Sequence, residues 1–234
     1  MNGATMVASD RMRIYWIGGS KGGVGKTMMT LATIDHLIER GRKVVLVECD
    51  TSNPDAHKAY KDLLPAELIN LDEAEGWIEL VNLCDRRRDS VVVVNTAARS
   101  SLAVKQYGQV LDSSLGELGQ MVVLWVINRQ RDSVELLRDF MEAMPHAEVH
   151  VVRNGYFGEE RKFEIYNRSK VREIVEGRGG RSVTLPDLAD RVADDIYTQR
   201  LALSAAANEL PIGNRAELGR WRAETRKVLA QVIG

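Results

Sequence analysis

Cysteine is nearly absent from this chain. Cys49 and Cys84 are the only two in 234 residues, too few for a disulfide framework or a thiolate zinc site, so both read as buried apolar fillers. The four histidines show no metal-ligand spacing, which removes an imidazole-built metal centre. Long apolar runs are missing as well. "MVVLWVI" at 121–127 falls far short of the ~20 residues a membrane-spanning helix needs. The start, "MNGATMVASDR", has neither the basic end nor the apolar stretch of a secretory signal. These absences point to a cytoplasmic protein. There is no linker, internal repeat or low-complexity stretch, so the reading is one domain over 13–234 behind a loose leader at 1–12. A large net charge is also lacking: 32 Lys and Arg face 33 Asp and Glu, leaving −1, so no whole-molecule field favours a polyanion.

Charge is nevertheless segregated along the chain. Residues 48–75 are acidic, whereas 153–181 and 215–227 lean basic. With 44% hydrophobic residues, a chain of this length can bury a full core. Its apolar residues come in short β-branched runs: "RIYWI" (13–17), "KVVLVE" (43–48), "SVVVVN" (90–95), "MVVLWVI" (121–127), "EVHVVR" (148–153) and "SVTL" (182–185). Runs that are continuous, not alternating, suit strands covered on both faces. Helical patterns lie between them at 27–40, ending at Gly41, at 132–144, stopped by Pro145, and at 162–177, running into glycines. Strand and helix in alternation predict an α/β fold with a mainly parallel, twisted sheet and helices on both faces.

"GGSKGGVGKTMMT" at 18–30 follows the first strand and opens the first helix. At such a junction unpartnered backbone N–H groups and the positive end of the helix dipole converge on one point. Gly22, Gly23 and Gly25 let the backbone wrap an anion, with the N–H groups of Val24 and Met28 alongside. Lys26 can reach terminal phosphates and the Thr27 hydroxyl can ligate Mg²⁺. The strict loop pattern puts a glycine where Ser20 stands. Asp50 follows the second strand, 24 residues beyond Lys26, at the carboxyl edge where a parallel sheet binds ligands. From there it can orient an attacking water and support a metal shell. A turn-capping role is the plainer alternative for it.

"KGGVGKT" at 21–27, with its second lysine, resembles the deviant Walker A motif of the ParA/MinD family of nucleotide-switch ATPases. That resemblance implies a single-domain, three-layer P-loop NTPase fold, ATP and Mg²⁺ as cofactors, and a homodimer closed around two nucleotides. Lys21 would then cross to the partner's phosphates, making Lys21, Lys26 and Asp50 the catalytic set. Asp50 resembles the second acid of the family's "DxDP"-like segment, with Glu48 in the place of the first. The third of these strands departs from the family by ending in Asn95 and Thr96, where an aspartate is usual. A neutral amide can orient a metal-bound water but lacks the charge that helps hold Mg²⁺. The implied metal shell is therefore Thr27, Asp50 and Asn95, and Asn95→Asp is expected to raise turnover or Mg²⁺ affinity. By the same resemblance Asn154 and Pro186 fall where the adenine base is read.

The "RNGYFG" segment and the Asn-ended strand look more like the plasmid-encoded relatives of the TraL and StbB type than like MinD. The function implied is a slowly hydrolysing ATP switch in plasmid partition, stability or conjugative transfer, with a protein partner that stimulates it. A scaffold that binds ATP without hydrolysing it is the alternative. A metabolic ligase or kinase would need an added substrate domain, and none is legible. The basic carboxyl-terminal third, with Arg161, Lys162, Arg168, Lys170, Arg172, Arg220, Arg222, Arg226 and Lys227, offers a sequence-tolerant DNA surface, against the plainer reading of solvated helix faces. In the final segment Leu218, Trp221, Val228, Leu229 and Val232 share one helical face. This suits a helix covering the sheet better than a membrane-targeting one.

Overall fold

Every apolar run of the sequence becomes a strand of one seven-stranded parallel sheet. The computed structural model describes residues 12–20, 22–98 and 100–233. The strands are β1 (Met12–Gly19), β2 (Val44–Glu48), β3 (Ala66–Leu68), β4 (Val91–Asn95), β5 (Gly119–Ile127), β6 (Glu148–Asn154) and β7 (Ser182–Leu185). Their order across the sheet is β3-β2-β4-β1-β5-β6-β7, all neighbours parallel.

Side chains alternate between two apolar layers, which is why the runs are continuous. Ile14, Trp16, Val92 and Val94 enter one layer, covered by α3 (Ala74–Arg86), α4 (Ser101–Leu118) and α5 (Asp132–Ala143). Tyr15, Ile17, Val91 and Val93 enter the other. That second layer is covered by α1 (Lys26–Glu39), α2 (Asp55–Tyr60), α8 (Asp190–Gln199), α9 (Leu203–Glu209) and α10 (Ile212–Leu229). Trp16 and Trp77 stack at 5.8 Å in the first layer, and Leu218, Trp221 and Leu229 of α10 are buried in the second. The final segment is thus a helix covering the sheet, ending at Leu229, short of Val232.

Two expectations are corrected. β3 carries no apolar run, because it is a three-residue edge strand with Glu67 and Leu68 exposed. The helix expected over 162–177 is broken into α6 (Glu164–Asn167) and α7 (Lys170–Gly177). Asn167 turns inward, accepting from Arg153 at 3.3 Å and donating to the Glu160 carbonyl at 2.8 Å. Ser169 then caps a fresh helix by accepting from the Arg172 N–H at 3.1 Å. Of the expected leader, Met12 is a buried first residue of β1, and residues 1–11 lie outside the described residues.

Candidate nucleotide-binding site

After β1 the chain leaves toward β2, and after β4 it crosses to β5, so the direction of winding reverses beside β1. Such a switch point opens a crevice beyond the carboxyl ends of the strands. A cleft of about 710 Å³ lies there, lined by Gly22, Gly23, Gly25, Lys26, Thr27, Met28, Asp50, Asn95, Asn154 and Pro186 among others. All the expected site residues except Val24 and Lys21 therefore line one cavity. Val24 buries its side chain in the core while its carbonyl accepts from Asn154 at 2.9 Å. Lys21 lies outside the described residues.

The loop's geometry follows from its glycines. Gly23 and Gly25 hold φ of 76° and 103°, a region open to glycine at little cost. A Cβ on Gly25 would also collide with the side-chain nitrogen of Asn154. Ser20, in place of the glycine of the strict pattern, is buried with its Oγ 3.0 Å from Ser133 Oγ. The departure from the pattern thus ties the loop to the start of α5.

Lys26 opens α1 almost wholly buried. Burial lowers its ammonium to about 8, against the pull of Asp50 and Glu48. Asp50 lines the cleft and also caps a turn, its Oδ1 accepting from Ser52 Oγ at 2.6 Å and the Asn53 N–H at 3.1 Å. The turn cap thus holds Asp50 at the edge of the cleft.

Asn95 is held more tightly than the sequence suggests. Its Nδ2 donates to both carboxylate oxygens of Glu48, each at 3.0 Å, and its Oδ1 accepts from Thr30 Oγ1 at 2.9 Å. Glu48 is fully buried. Burial raises its carboxyl to about 7, against the bonds from Asn95 and the Asp50 N–H. The amide of Asn154 is likewise committed: Oδ1 accepts from the Tyr156 N–H at 3.1 Å while Nδ2 holds the loop. Pro186 is held from α10, its carbonyl accepting from Trp221 Nε1 at 2.8 Å.

Several residues of this site were not legible beforehand. Thr30 lies one turn beyond Thr27 on α1, and that i, i+3 spacing was the available signal. Tyr156, Tyr197 and Trp221 line the cleft from three separate segments, which no local pattern joins. Arg153 is buried behind Asn154, bonded to Glu160 at 2.8 Å, Thr184 Oγ1 at 3.1 Å and the Ser182 carbonyl at 3.2 Å. The basic segments look different in three dimensions. Arg161, Arg168, Arg172, Arg220, Arg222 and Arg226 each carry a carboxylate partner.

Among the described residues no three His, Cys, Asp or Glu side chains cluster to hold a metal by themselves. Thr27, Asp50 and Asn95 line the cleft with one carboxylate and two neutral oxygens, a donor set that fits Mg²⁺, which is held by one or two carboxylates and completes its shell with water and phosphate. A loop of converging N–H groups at one end of a large cleft suits phosphate, and the body beyond it suits a base and sugar. Together they define the P-loop class of nucleotide-binding proteins.

Within that class the chain belongs to the CobQ/CobB/MinD/ParA nucleotide binding domain family, matched over residues 15–158. It is 65% identical over 221 residues to Protein MobD of Acidithiobacillus ferrooxidans, covering 94% of this chain and 97% of that one. Its fold is similar to the MinD cell division protein of Aquifex aeolicus, with a TM-score of 0.54 at 15% identity over 94% of this chain and 97% of that one. A nucleotide-binding protein from Archaeoglobus fulgidus, solved with ADP, has a TM-score of 0.50 at 13% identity over 88% and 97%. No helix among the described residues is long and apolar enough to cross a membrane.

Proposed function

We propose that the chain is a slowly hydrolysing ATP switch of the ParA/MinD type, acting in the cytoplasm and serving plasmid partition, stability or conjugative transfer. Membership of the family supports nucleotide binding, and the ParA and MinD branches of that family are ATPases. The observation that carries the finer reading is that Lys26, Thr27, Asp50 and Asn95, from three separate elements, line one cleft. The plasmid role is supported by the TraL- and StbB-like segments and by the relative named MobD.

Thr27, Asp50 and Asn95 would hold Mg²⁺, which would supply positive charge against the negative charge developing during transfer. Lys26 holds the phosphates, the loop N–H groups orient them, and Asp50 accepts a hydrogen bond from the attacking water. Asn154 and Pro186 form the wall for the base. In this reading Lys21 serves the phosphates of a second subunit's nucleotide, so that ATP becomes part of a homodimer interface. A partner protein that stimulates turnover acts on that dimer. The MinD protein of Aquifex aeolicus has been solved in complex with MinC, a precedent for partner binding on this fold.

The deciding experiment is steady-state phosphate release by the purified protein and by Asp50→Ala. Release by the wild type that disappears in the variant, with ATP binding kept, supports the switch. Unchanged release in the variant sinks the mechanism. The non-hydrolysing scaffold is the second reading, favoured by the commitment of Asn95 to Glu48 and Thr30. It predicts tight ATP binding with no release in the wild type.

A further inference from the structure

Glu48, fully buried just behind the cleft, is a charged group that this mechanism leaves unused. It ends β2 as Asn95 ends β4, and the two are register partners in the sheet. The partners of Asn95 fix its orientation. Nδ2 faces Glu48 and donates to it, at 3.0 Å from each oxygen. Oδ1 is thereby turned to Thr30 Oγ1, 2.9 Å away, and keeps a second lone pair. Asn95 lines the cleft, whereas Glu48 lies behind it. The Asp50 N–H reaches Glu48 Oε1 at 3.0 Å, so the same acid also fixes the segment bearing Asp50.

We propose that Glu48 is a positioning residue for the metal shell: from β2 it accepts both hydrogen bonds of the Asn95 Nδ2, and so fixes the side-chain oxygen that position 95 would offer the metal. Positions 48 and 95 are then one acid–amide pair, and the two groups can exchange strands. This reverses the expectation that Asn95→Asp improves the site. An aspartate there would remove the Nδ2 donor and set an oxygen against the Glu48 oxygens at hydrogen-bond distance in a buried place. Glu48→Gln fails for a different reason. Its amide offers Asn95 one acceptor instead of two and adds a donor, which favours a flipped Asn95 that presents N–H in place of oxygen.

The inference rests on the nucleotide reading of the cleft, and the test separates the two. Affinity for a fluorescent, non-hydrolysable ATP analogue is measured in Mg²⁺ and in EDTA for wild type, Glu48→Gln, Asn95→Asp and the exchanged double variant Glu48→Gln/Asn95→Asp, with melting temperatures alongside. Each single variant is expected to lose about tenfold of the Mg²⁺-dependent gain in affinity, while the double variant returns to within about threefold of wild type, the coupling expected of residues in contact. Affinity in EDTA should stay nearly constant across the series.

An Asn95→Asp protein that binds the Mg²⁺ complex as tightly as wild type overturns the proposal. So does a double variant no better than the worse single one, or a loss that is equal with and without Mg²⁺, which would mark a purely structural pair. If the single variants fail to fold but the exchange folds, the exchange is compared with wild type directly: a Mg²⁺-dependent gain within about threefold of wild type upholds the proposal and a larger loss rejects it, as does an exchange that fails to fold. A wild type that binds no analogue in either buffer fails the nucleotide reading itself, before any variant is compared.

Discussion

Lys26 sets a buried charge at the wall of the cleft. The ammonium is nearly buried and its pKa is lowered to about 8 by desolvation, so bound phosphates replace lost hydration with a charge-assisted contact. Lys26→Ala should therefore weaken Mg·ATP binding by about 2 kcal/mol or more, measured by calorimetry; equal affinity would remove the phosphate assignment. Gly25 is constrained twice, by its φ of 103° and by the Asn154 side chain, which occupies the space a methyl group would need. Gly25→Ala should lower the melting temperature and separate Asn154 from the loop, read as weaker nucleotide binding than the stability loss alone explains. Sequence pattern identified Lys26 and Gly25 because a loop's function rests on local backbone. It missed the commitment of Asn95, because Thr30 and Glu48 reach it from 65 and 47 residues away.

At the scale of elements, the cleft depends on helices and strands that contribute no phosphate contact. Arg153 of β6 is buried and bonded to Glu160, Thr184, Asn167 and the Ser182 carbonyl, which joins β7 and the segment after Asn154 into one wall. Arg153→Met should cost about 3 kcal/mol of stability in a denaturant titration, because it leaves several buried partners unpaired. Helix α1 also carries buried His36, whose Nε2 has no hydrogen-bond partner among the described residues. Burial and the Arg40 and Arg226 cations lower its imidazole below 6.5, against Glu39 and Asp35. A depressed folded value means the unfolded chain takes up a proton first, so this contribution is intact above pH 6.5 and is lost as pH falls below it. His36→Gln should flatten the decline in melting temperature between about pH 7 and pH 5; an unchanged slope would place the acid sensitivity elsewhere. The break between α6 and α7 also belongs to this scale. The apolar spacing of 162–177 is helical, but the inward bonds of Asn167 outweigh it.

For the whole molecule the open question is assembly. If Lys21 serves a second subunit's phosphates, nucleotide state and dimerisation are linked. Light scattering with Mg²⁺ and a non-hydrolysable ATP analogue should show a shift from monomer to dimer in the wild type. Lys21→Ala should keep nucleotide binding and lose most of that shift; a variant that dimerises equally well would refute the crossing role. DNA contact is a weaker expectation at this scale. Six arginines of the basic segments already carry carboxylate partners, and freeing them would offset much of the gain from phosphate.

The sequence by itself determined the layer architecture and the phosphate loop, because both follow from local rules. Runs of doubly buried residues make central strands, and a glycine-rich turn into Lys26 and Thr27 makes a loop whose N–H groups point one way. It could not determine the edge strand β3, whose three residues are held by pairing to β2, nor the wall that Trp221 forms by holding the Pro186 carbonyl. The pairing of Glu48 with Asn95 was decided only by the tertiary structure. Two strands far apart in sequence become neighbours in register, and a buried carboxylate takes whatever donor the sheet places opposite it.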